Sequence, residues 1–599
     1  MKWVAKSADD AQIDALARQL CSVASLGLSG DVRLAATLSR LLLLRGIKDA
    51  ESAQRYLAPS LADLHSPYLM TGMKAAVERL DAAIERKEGI LIYGDYDVDG
   101  TTAIVILKTA IELSGGCADF HVPHRIREGY GMKDDVIERA ATGGVRLIIS
   151  VDTGIRAFAA AETAERLGVD LIVTDHHLPG SDGVPKALSV LNPNQSGCEY
   201  PCKSLCGAGV AFKIAQALLE SSARERLLPS FLKIVAIATI ADAVPLIGEN
   251  RVFAKLGLEG LRDPRNAGLR ALLANCQLDG SRPLSAGDIA FRVAPRLNAA
   301  GRMDLAERVI QLFTEKDEGK AAEMAMRLNE LNGDRQVEEQ RILDEIVRQI
   351  QSTTGWEDAY SMVVAGENWH RGVIGICATR VVERYHRPAL VFSCEDGEAY
   401  GSGRSIEAFH LLDALESCAE LFTRFGGHAH AVGCALPIGR LPELRSRLEA
   451  YARQRLAPGD FVPVLEYDGE IPLNDVNQKF WESLVRLEPF GSGNPTPVFV
   501  ARGVKLVQPP RILKEKHLKL RVVPGANGNG AFKRPREVVG WRMAERAAQD
   551  SLLLGDVLDL AFTVDYNTHP DFGGVQLTLA DFARSTPVAA RPVAGTRDA

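Results

Sequence analysis

Cysteine and tryptophan are scarce in this chain, at ten and five in 599 residues. The cysteines are mostly isolated, which excludes the disulfide framework of a small secreted domain and points to a reducing, cytoplasmic setting. Cys198, Cys202 and Cys206 recur every four residues. No fourth ligand follows at a zinc-like spacing, so structural thiols are the simpler reading. Long apolar runs are also missing. The most apolar long stretch, Phe231 to Ile247, is broken by Lys233, Asp242 and Pro245; it reads as a core helix, and no membrane contact is expected. Met1-Lys2-Trp3-Val4-Ala5-Lys6 leads into no signal-peptide core. Hydrophobic residues at 46% and charged residues at 25% describe an ordinary globular protein. The length is too great for one core, so three or four domains are expected.

The net charge of −7 argues only weakly against a polyanionic partner, because charge is unevenly spread. Between Ala501 and Arg546 twelve Lys or Arg face three Glu, a window of +9 that leaves −16 on the rest of the chain. A basic patch on an acidic protein is an electrostatic footprint for nucleic acid, against the plainer alternative of a solvated surface.

The densest chemistry lies in Gly94-Asp95-Tyr96-Asp97-Val98-Asp99-Gly100, between the apolar run Ile90–Tyr93 and Thr101-Thr102-Ala103-Ile104. This reads as a buried strand, an acidic turn and a helix start. Carboxylates so crowded repel one another unless a divalent cation neutralises them, and hard oxygens suit Mg or Mn; a calcium loop or a solvated acidic loop is the alternative. From Gly89 onward strands and helices alternate: strands Ile90–Tyr93, Asp119–Val122, Arg146–Val151 and Asp170–Thr174, helices 102–113, 133–141 and 156–167. That alternation predicts a parallel sheet covered on both faces. Ligands of such sheets lie beyond the strand carboxyl ends. There the sequence places Asp95, Asp97 and Asp99, then Asp152, then Asp175-His176-His177. Asp242 closes the apolar helix Phe231–Ala241, where an unpaired carboxylate is costly.

A helical connector follows, carrying Arg296, Asn298 and Arg302 among small residues suited to phosphate. Lys316 to Gln351 predicts a long helix interrupted at Asn332-Gly333 and spanning about 50 Å. A second α/β unit starts near Tyr360. In it, glycine clusters beside Arg371, Arg404 and His428 read as anion cradles or as simple turns. From about Phe461 short β segments with turns predict a small barrel such as an OB-fold for single strands.

The motifs Asp-Tyr-Asp-Val-Asp-Gly, Val-Asp-Thr-Gly, Asp175-His176-His177 and Ala241-Asp242-Ala243-Val244-Pro245 resemble, in order, those of the DHH phosphoesterase superfamily. Arg127-Glu128-Gly129-Tyr130-Gly131, Asn298-Ala299-Ala300-Gly301-Arg302, Gly401-Ser402-Gly403-Arg404-Ser405, Gly426-Gly427-His428 and Glu488-Pro489-Phe490-Gly491-Ser492-Gly493-Asn494-Pro495 are similar to those of the bacterial RecJ single-strand-specific exonucleases. Cys202 stands where an aromatic or polar residue is more usual, and His430 where a methionine is more usual.

The resemblance implies two α/β domains, DHH and DHH-associated, joined by a long helix, plus a C-terminal OB-fold barrel. The expected divisions are a helical region 1–55, the catalytic domain 56–250, a connector 251–354, the DHH-associated domain 355–457, the barrel 461–583 and a flexible tail 584–599. It implies a single-stranded-DNA-specific 5′ to 3′ exonuclease of DNA repair and recombination, releasing mononucleotides by two-metal-ion hydrolysis without a covalent intermediate. Two divalent cations, Mn2+ by preference or Mg2+, would be held by Asp97, Asp99, Asp152, His176 and Asp242, with Asp152 bridging and His177 beside them, touching the scissile phosphate or serving as a ligand of the second metal. Asp95 and Asp175 would orient the ligands. Arg127, Arg302, Ser402 and Arg404 would hold the terminal phosphate, and Tyr130 would stack on a base. Asn298, His370, Arg371, Gly427, His428, Lys514, Lys516 and Lys519 complete the expected DNA contacts. The expected partners are single-stranded DNA, a helicase and a single-strand-binding protein, around a monomeric enzyme. Two alternatives stand beside this: a phosphodiesterase of oligonucleotides or cyclic dinucleotides, which would not need the basic β domain, and a non-catalytic DNA-binding scaffold, which would not need the acids.

Overall fold

The structure, a computed structural model, describes residues 1–23, 28, 30–278, 280–524, 535–567 and 573–585. The tail from Thr586 onward, and Lys533 and Arg534 of the basic window, lie outside them. The chain forms two units: Pro59–Pro463 with Pro489–Gly493, and Met1–Ala58 with Val464–Glu488 and the chain from Asn494 onward. It opens with strand β1 (Lys2–Ala5) and helices Asp10–Ser22, Val32–Leu43 and Ala50–Leu57.

In the larger unit β2 (Gly89–Tyr93), β3 (Ala118–His121), β4 (Val145–Val151), β5 (Asp170–Thr174) and β6 (Ser189–Leu191) form a sheet in the order β3-β2-β4-β5-β6. Every pairing in it is parallel. The strands are nearly continuous apolar runs because helices cover both faces. Helices Val98–Leu113 and Gly207–Ser221 are buried along most of their lengths. Inside this core Lys213 donates to Glu249 at 2.7 Å, with both side chains fully buried, and Tyr200 donates to the same carboxylate at 2.5 Å. The pair ties helix Gly207–Ser221 to helix Gly248–Gly260, which follows the Asp242 turn.

The long helix is one uninterrupted element, Glu318–Ser352, of 35 residues. The break expected at Asn332-Gly333 does not occur. Asn332 is buried and engages Arg335 at 3.0 Å within the helix; one glycine costs about 1 kcal/mol, too little to break a helix with a packed face. Beyond it β7 (Met362–Glu367), β8 (Ala389–Glu395), β9 (Glu398–Arg404), β10 (Arg424–His428) and β11 (Ala431–Pro437) form a sheet in the order β10-β11-β9-β8-β7. The glycine clusters at 401–403 and 426–427 are therefore strand positions rather than turns. Gly401 and Gly403 face the core, where a Cβ would fall 2.3 Å from the Phe392 ring and 2.6 Å from Leu390.

The smaller unit contains β12 (Val464–Tyr467), β13 (Gly469–Glu470), β14 (Phe499–Leu506), β15 (Arg511–Leu513), β16 (His517–Val523), β17 (Arg536–Gly540), β18 (Val557–Asn567) and β19 (Gly574–Arg584). The pairing of β14 with β16 closes the circuit β14-β18-β19-β17-β16 into a five-stranded barrel. Its closure is antiparallel except for β17 with β19. Inward positions alternate along the strands, with Leu518, Leu520 and Val522 on β16 and Leu558, Leu560 and Phe562 on β18 all buried. The N-terminal region, expected to be helical and separate, contributes β1 to this unit in parallel with β12. Trp3 Nε1 donates to Asp581 at 2.8 Å.

Of the basic window, Arg502 is paired with Glu470 and Asp559, Lys519 with Glu537, and Arg546 with Asp550. Among the described residues Arg511, Lys514, Lys516 and Arg542 have no ion pair. Lys514 and Lys516 stand exposed on the β15–β16 hairpin, beside Trp541, which is 57% exposed and meets His517 edge-on at 4.9 Å. Exposed cations with an aromatic face suit single strands. Replacing Lys514 and Lys516 by glutamine together with Trp541 by alanine should weaken binding of a long single strand about tenfold and flatten its salt dependence. Cleavage of a trinucleotide should be unchanged. Titration of labelled strands at two salt concentrations checks this; equal losses on long and short substrates would make the hairpin structural.

Candidate active site

The register of the central strands sets the site. Tyr93 lies beside Ser150, and Val151 beside Thr174, so the loops after β2, β4 and β5 leave the sheet together. This is where the order turns from β2 outward to β3 and inward to β4, the point at which open α/β sheets bind ligands.

Asp97 is the N-cap of helix Val98–Leu113, its carboxylate accepting from Gly100 N–H at 3.1 Å. Asp99 sits in the first turn, buried, and accepts from Gly207 and Ala208 N–H at 2.5 and 2.8 Å, the opening of a second helix. Asp152 holds φ of 59°, a left-handed conformation rare outside glycine and frequent at functional sites. Gly207 is obligatory there: a Cβ would lie 2.5 Å from that of Asp152. His176 Nε2 lies 3.2 Å from Asp152, 3.7 Å from Asp99 and 3.8 Å from Asp242. His177 Nδ1 is 2.7 Å from Asp175, whose fully buried carboxylate also accepts the N–H groups of Ile155, His176 and His177. Tyr130 OH reaches the same ring at 3.4 Å.

Three overlapping groups of ligand atoms lie within 4.8 Å of one another: Asp95, Asp97 and Asp152; Asp99, His176 and Asp242; Asp152, His176 and His177. Asp152 Oδ1 and Asp95 Oδ1 are buried with no hydrogen-bond donor among the described residues. Burial, then neighbouring carboxylates, drive Asp95 and Asp152 well above the usual carboxylate range and push Asp242 up to about 9. Burial lowers His176 into the neutral form a metal requires. The Asp175 carboxylate outweighs burial at His177 and raises it to about 9. Orphaned buried oxygens, repelling carboxylates and a neutral imidazole fit hard divalent cations.

Beside this centre a cleft of about 440 Å³ is lined by Tyr96, Arg125 and Ile126 on one side and by Arg371, Tyr400 and Ser402, among others, on the opposite side. Arg125 stacks on Tyr96 at 4.6 Å. The residue expected here, Arg127, is exposed outside the lining and its backbone N–H contacts His124. The two arginines stand two positions apart in a loop, and only Tyr96, which Arg125 stacks on, marks the one that turns inward. Arg302 is half-buried, donates to Gly372 carbonyl at 2.8 Å, and is lowered to about 9 by desolvation and by Arg125. Burial and Arg125 also lower Arg404, which reaches Ser402 Oγ at 3.3 Å. A half-buried arginine cluster short of counter-charge seeks an anion.

Asn298 and His370 also make local contacts. Asn298 Oδ1 accepts from Val98 N–H at 3.3 Å and so fixes the start of the acidic helix. His370 Nδ1 accepts from Gly372 N–H, and its backbone N–H contacts Glu338 at 3.3 Å; it holds the loop that carries Arg371. Gly427 and exposed His428 lie on β10. Gly491 to Gly493 pack on the Asp242 turn, with Leu246 N–H donating to Ser492 carbonyl at 2.8 Å.

Three family models match the chain: the DHH family N-terminal domain at residues 89–239, the DHHA1 domain at 359–454 and the RecJ OB domain at 467–581. The chain is 37% identical to the single-stranded-DNA-specific exonuclease RecJ of Bacillus subtilis (strain 168) over 87% of its own length, and spans 64% of that longer protein. It is 36% identical to the RecJ of Dickeya dadantii (strain 3937), covering 83% of this chain and 88% of that one. Its fold matches the crystal structure of RecJ in complex with Mn2+ from Thermus thermophilus with a TM-score of 0.81 and 27% identity, over 98% of this chain and 80% of that one. Identity at that level across nearly the whole of a relative, with all three domain types in order, places this chain in the family of RecJ single-stranded-DNA-specific exonucleases.

Proposed function

We propose that this chain is a metal-dependent exonuclease that degrades single-stranded DNA from the 5′ end, releasing 5′-mononucleotides. The observation that carries the reading is the buried carboxylate–histidine centre, with its orphaned Asp152 oxygen, opening beside a cleft lined by unpaired arginines. Asp97, Asp99, Asp152, His176 and Asp242 would hold two divalent cations, Mn2+ or Mg2+, and Asp152, present in two of the three ligand groups, would be shared. When bound, such ions neutralise the phosphate and stabilise both the attacking and the leaving oxygen of an in-line displacement.

The chain's own groups do the rest. Asp175 fixes His177 through Nδ1 and raises it to about 9 in the metal-free protein, so that Nε2–H would donate to a phosphoryl oxygen. Asp95 and Asp175 set the orientation of the ligands around them. Arg302, Arg404, Ser402 and, from the other wall, Arg125 would seat the terminal 5′-phosphate and thereby set polarity. Tyr130, 49% exposed beside His177, would stack on a base. The barrel hairpin would retain long strands. Because a duplex must be opened first, a helicase and a single-strand-binding protein would supply substrate to a monomeric enzyme in the cytoplasm. Among the described residues no helix is long and apolar enough to cross a membrane.

End-labelled single strand, blunt duplex and dinucleotide, each digested with Mn2+ or Mg2+, test the reading. Mononucleotides from the 5′ end of single strands alone are expected; activity confined to the dinucleotide would make this a small-substrate phosphodiesterase. Arg404→Ala should abolish any advantage of a 5′-phosphorylated over a 5′-hydroxyl strand, a change of about tenfold or more for one lost charge-assisted contact. An unchanged ratio in competition assays would place the phosphate seat elsewhere.

A further inference from the structure

The face of the DHHA1 sheet on which helix Ile374–Tyr385 packs carries, beyond that helix, a channel that continues past the phosphate seat. Strand alternation puts Tyr400, Ser402 and Arg404 on this face, since Gly401 and Gly403 turn into the core. The register extends three rows across β11 and β10: Arg404 with Ala431 and His428, Ser402 with Gly433 and Gly426, and Tyr400 with Ala435 and Arg424. The middle row is bare. Gly426 and Gly433 are both exposed, and a Cβ on either would meet no heavy atom within 4 Å. Neither has a positive φ, so backbone conformation does not require glycine there. What the missing side chains leave is open floor between two cationic rows.

The far row is unusually positive. Arg371 lies 3.6 Å and Arg424 5.8 Å from the centroid of the Tyr400 ring, which holds both guanidinium groups toward the channel. Arg125 faces them from the other wall. Among the described residues no carboxylate is within 4 Å of these three groups. Glu398, the acid that feels Arg424 and Arg371, is engaged by the hydroxyls of Thr423 and Tyr400. Helix Ile374–Tyr385 points its N-terminus at Ser402: a Cβ on Gly375 would come 3.0 Å from Ser402 Oγ. One phosphate at Ser402 and Arg404 does not use Arg424, which lies in the Tyr400 row, about 7 Å beyond that of Ser402, nor Arg371, which packs on the Tyr400 ring.

We propose that this channel is a second phosphate subsite, taking the β and γ phosphates of strands that end in a 5′-triphosphate. The inference rests on the exonuclease reading and on a terminal-phosphate seat at Ser402 and Arg404. The α phosphate occupies that seat, and the two further phosphoryl groups cross the glycine floor toward Arg424 and Arg371. The chemistry is the same hydrolysis. Water adds to the phosphorus between the first two nucleotides, the bond from that phosphorus to the first nucleotide's 3′ oxygen breaks, and that oxygen takes a proton. The first product is a nucleoside 5′-triphosphate, and the shortened strand carries an ordinary 5′-phosphate.

The experiment compares the same single strand bearing a 5′-triphosphate, a 5′-monophosphate or a 5′-hydroxyl, in the full chain and in Arg424→Gln and Gly426→Val. Binding is followed by anisotropy without metal, and first-turnover products by chromatography with Mn2+. The full chain should release a nucleoside triphosphate from the first strand. Both variants should weaken binding and cleavage of the triphosphate strand about tenfold or more while leaving the monophosphate strand unchanged, since each removes only a charge-assisted contact or the space beyond the seat. Refusal of the triphosphate strand while the monophosphate strand is cut would overturn the subsite alone. So would equal effects of the variants on both strands, or release of dinucleotides from the monophosphate strand, which would make the channel a nucleotide site. No cleavage of either strand would overturn the exonuclease reading and this inference with it.

Discussion

Asp152→Asn should lower strand cleavage on the order of 10³-fold or more, because metal-ion stabilisation of the displacement is worth several kcal/mol and each 1.36 kcal/mol is a factor of ten. The same variant should fold. In the metal-free protein Asp152 is a buried acid driven upward by burial and by Asp99, Asp97, Asp95 and Asp242. Replacing it with a neutral isostere removes repulsion, so without divalent ions the variant should melt no lower than the natural chain. Addition of Mn2+ should then raise the melting temperature of the natural chain, as ligand binding to the folded state must, and leave the variant nearly unmoved. An equal Mn2+ response in both proteins, or retained cleavage, would remove Asp152 from the shared position. The sign of the pH dependence follows from the same groups. The folded-state value of Asp242 lies near 9 against 3.8 unperturbed. The folded state therefore binds more protons across that window, and metal-free stability falls as pH rises through it. A melting series from pH 4 to about 9 with chelator, repeated with Mn2+, reads both.

Asp175→Asn should cost about 10²-fold in turnover while leaving binding of the strand nearly intact, the usual range for loss of a group that orients a ligand or an acid. Asp175 touches no candidate ligand atom of Asp97, Asp99 or Asp242; its four accepted hydrogen bonds hold the backbone of Ile155, His176 and His177 and the ring of His177. Burial opposes its ionisation, and those bonds more than offset it, holding the acid below its usual range. An amide keeps the shape but loses the charge that raises His177. The fall in rate at alkaline pH should therefore move toward neutrality, while a merely structural loss would lower the whole profile without moving it. Rescue of the rate at lower pH would support the orienting part, and an unshifted profile would remove it.

The smaller effects depend on how much of the arrangement is local. The strands ending at Tyr93, Val151 and Thr174 were legible because buried parallel strands leave apolar runs and the acids follow at their carboxyl ends. The uninterrupted helix through Gly333 was not, since whether a glycine breaks a helix is decided by the face packed around it. Nor was the choice of Arg125 over Arg127, which rests on which guanidinium finds the Tyr96 ring. The glycines at 401 and 403 read as loop formers and are strand residues, because close approach to Phe392 and Leu390 leaves no trace in the local pattern.

The sequence by itself determined the inventory: which carboxylates and histidines are present, that they follow strands, and that the chain carries a basic β region. These properties depend on residue type and on periods of two and 3.6, and they survive without knowledge of any distant contact. Only the tertiary structure decided which of those groups share a site. Asp99 meets the N-terminus of helix Gly207–Ser221 more than a hundred residues away, Met1–Ala58 joins the barrel unit through β1 and β12, and the rows of β9, β11 and β10 bring Ser402 beside Gly433 and Gly426. Register and packing are long-range properties, fixed when burial selects one alignment of elements, and no local stretch of the chain contains them.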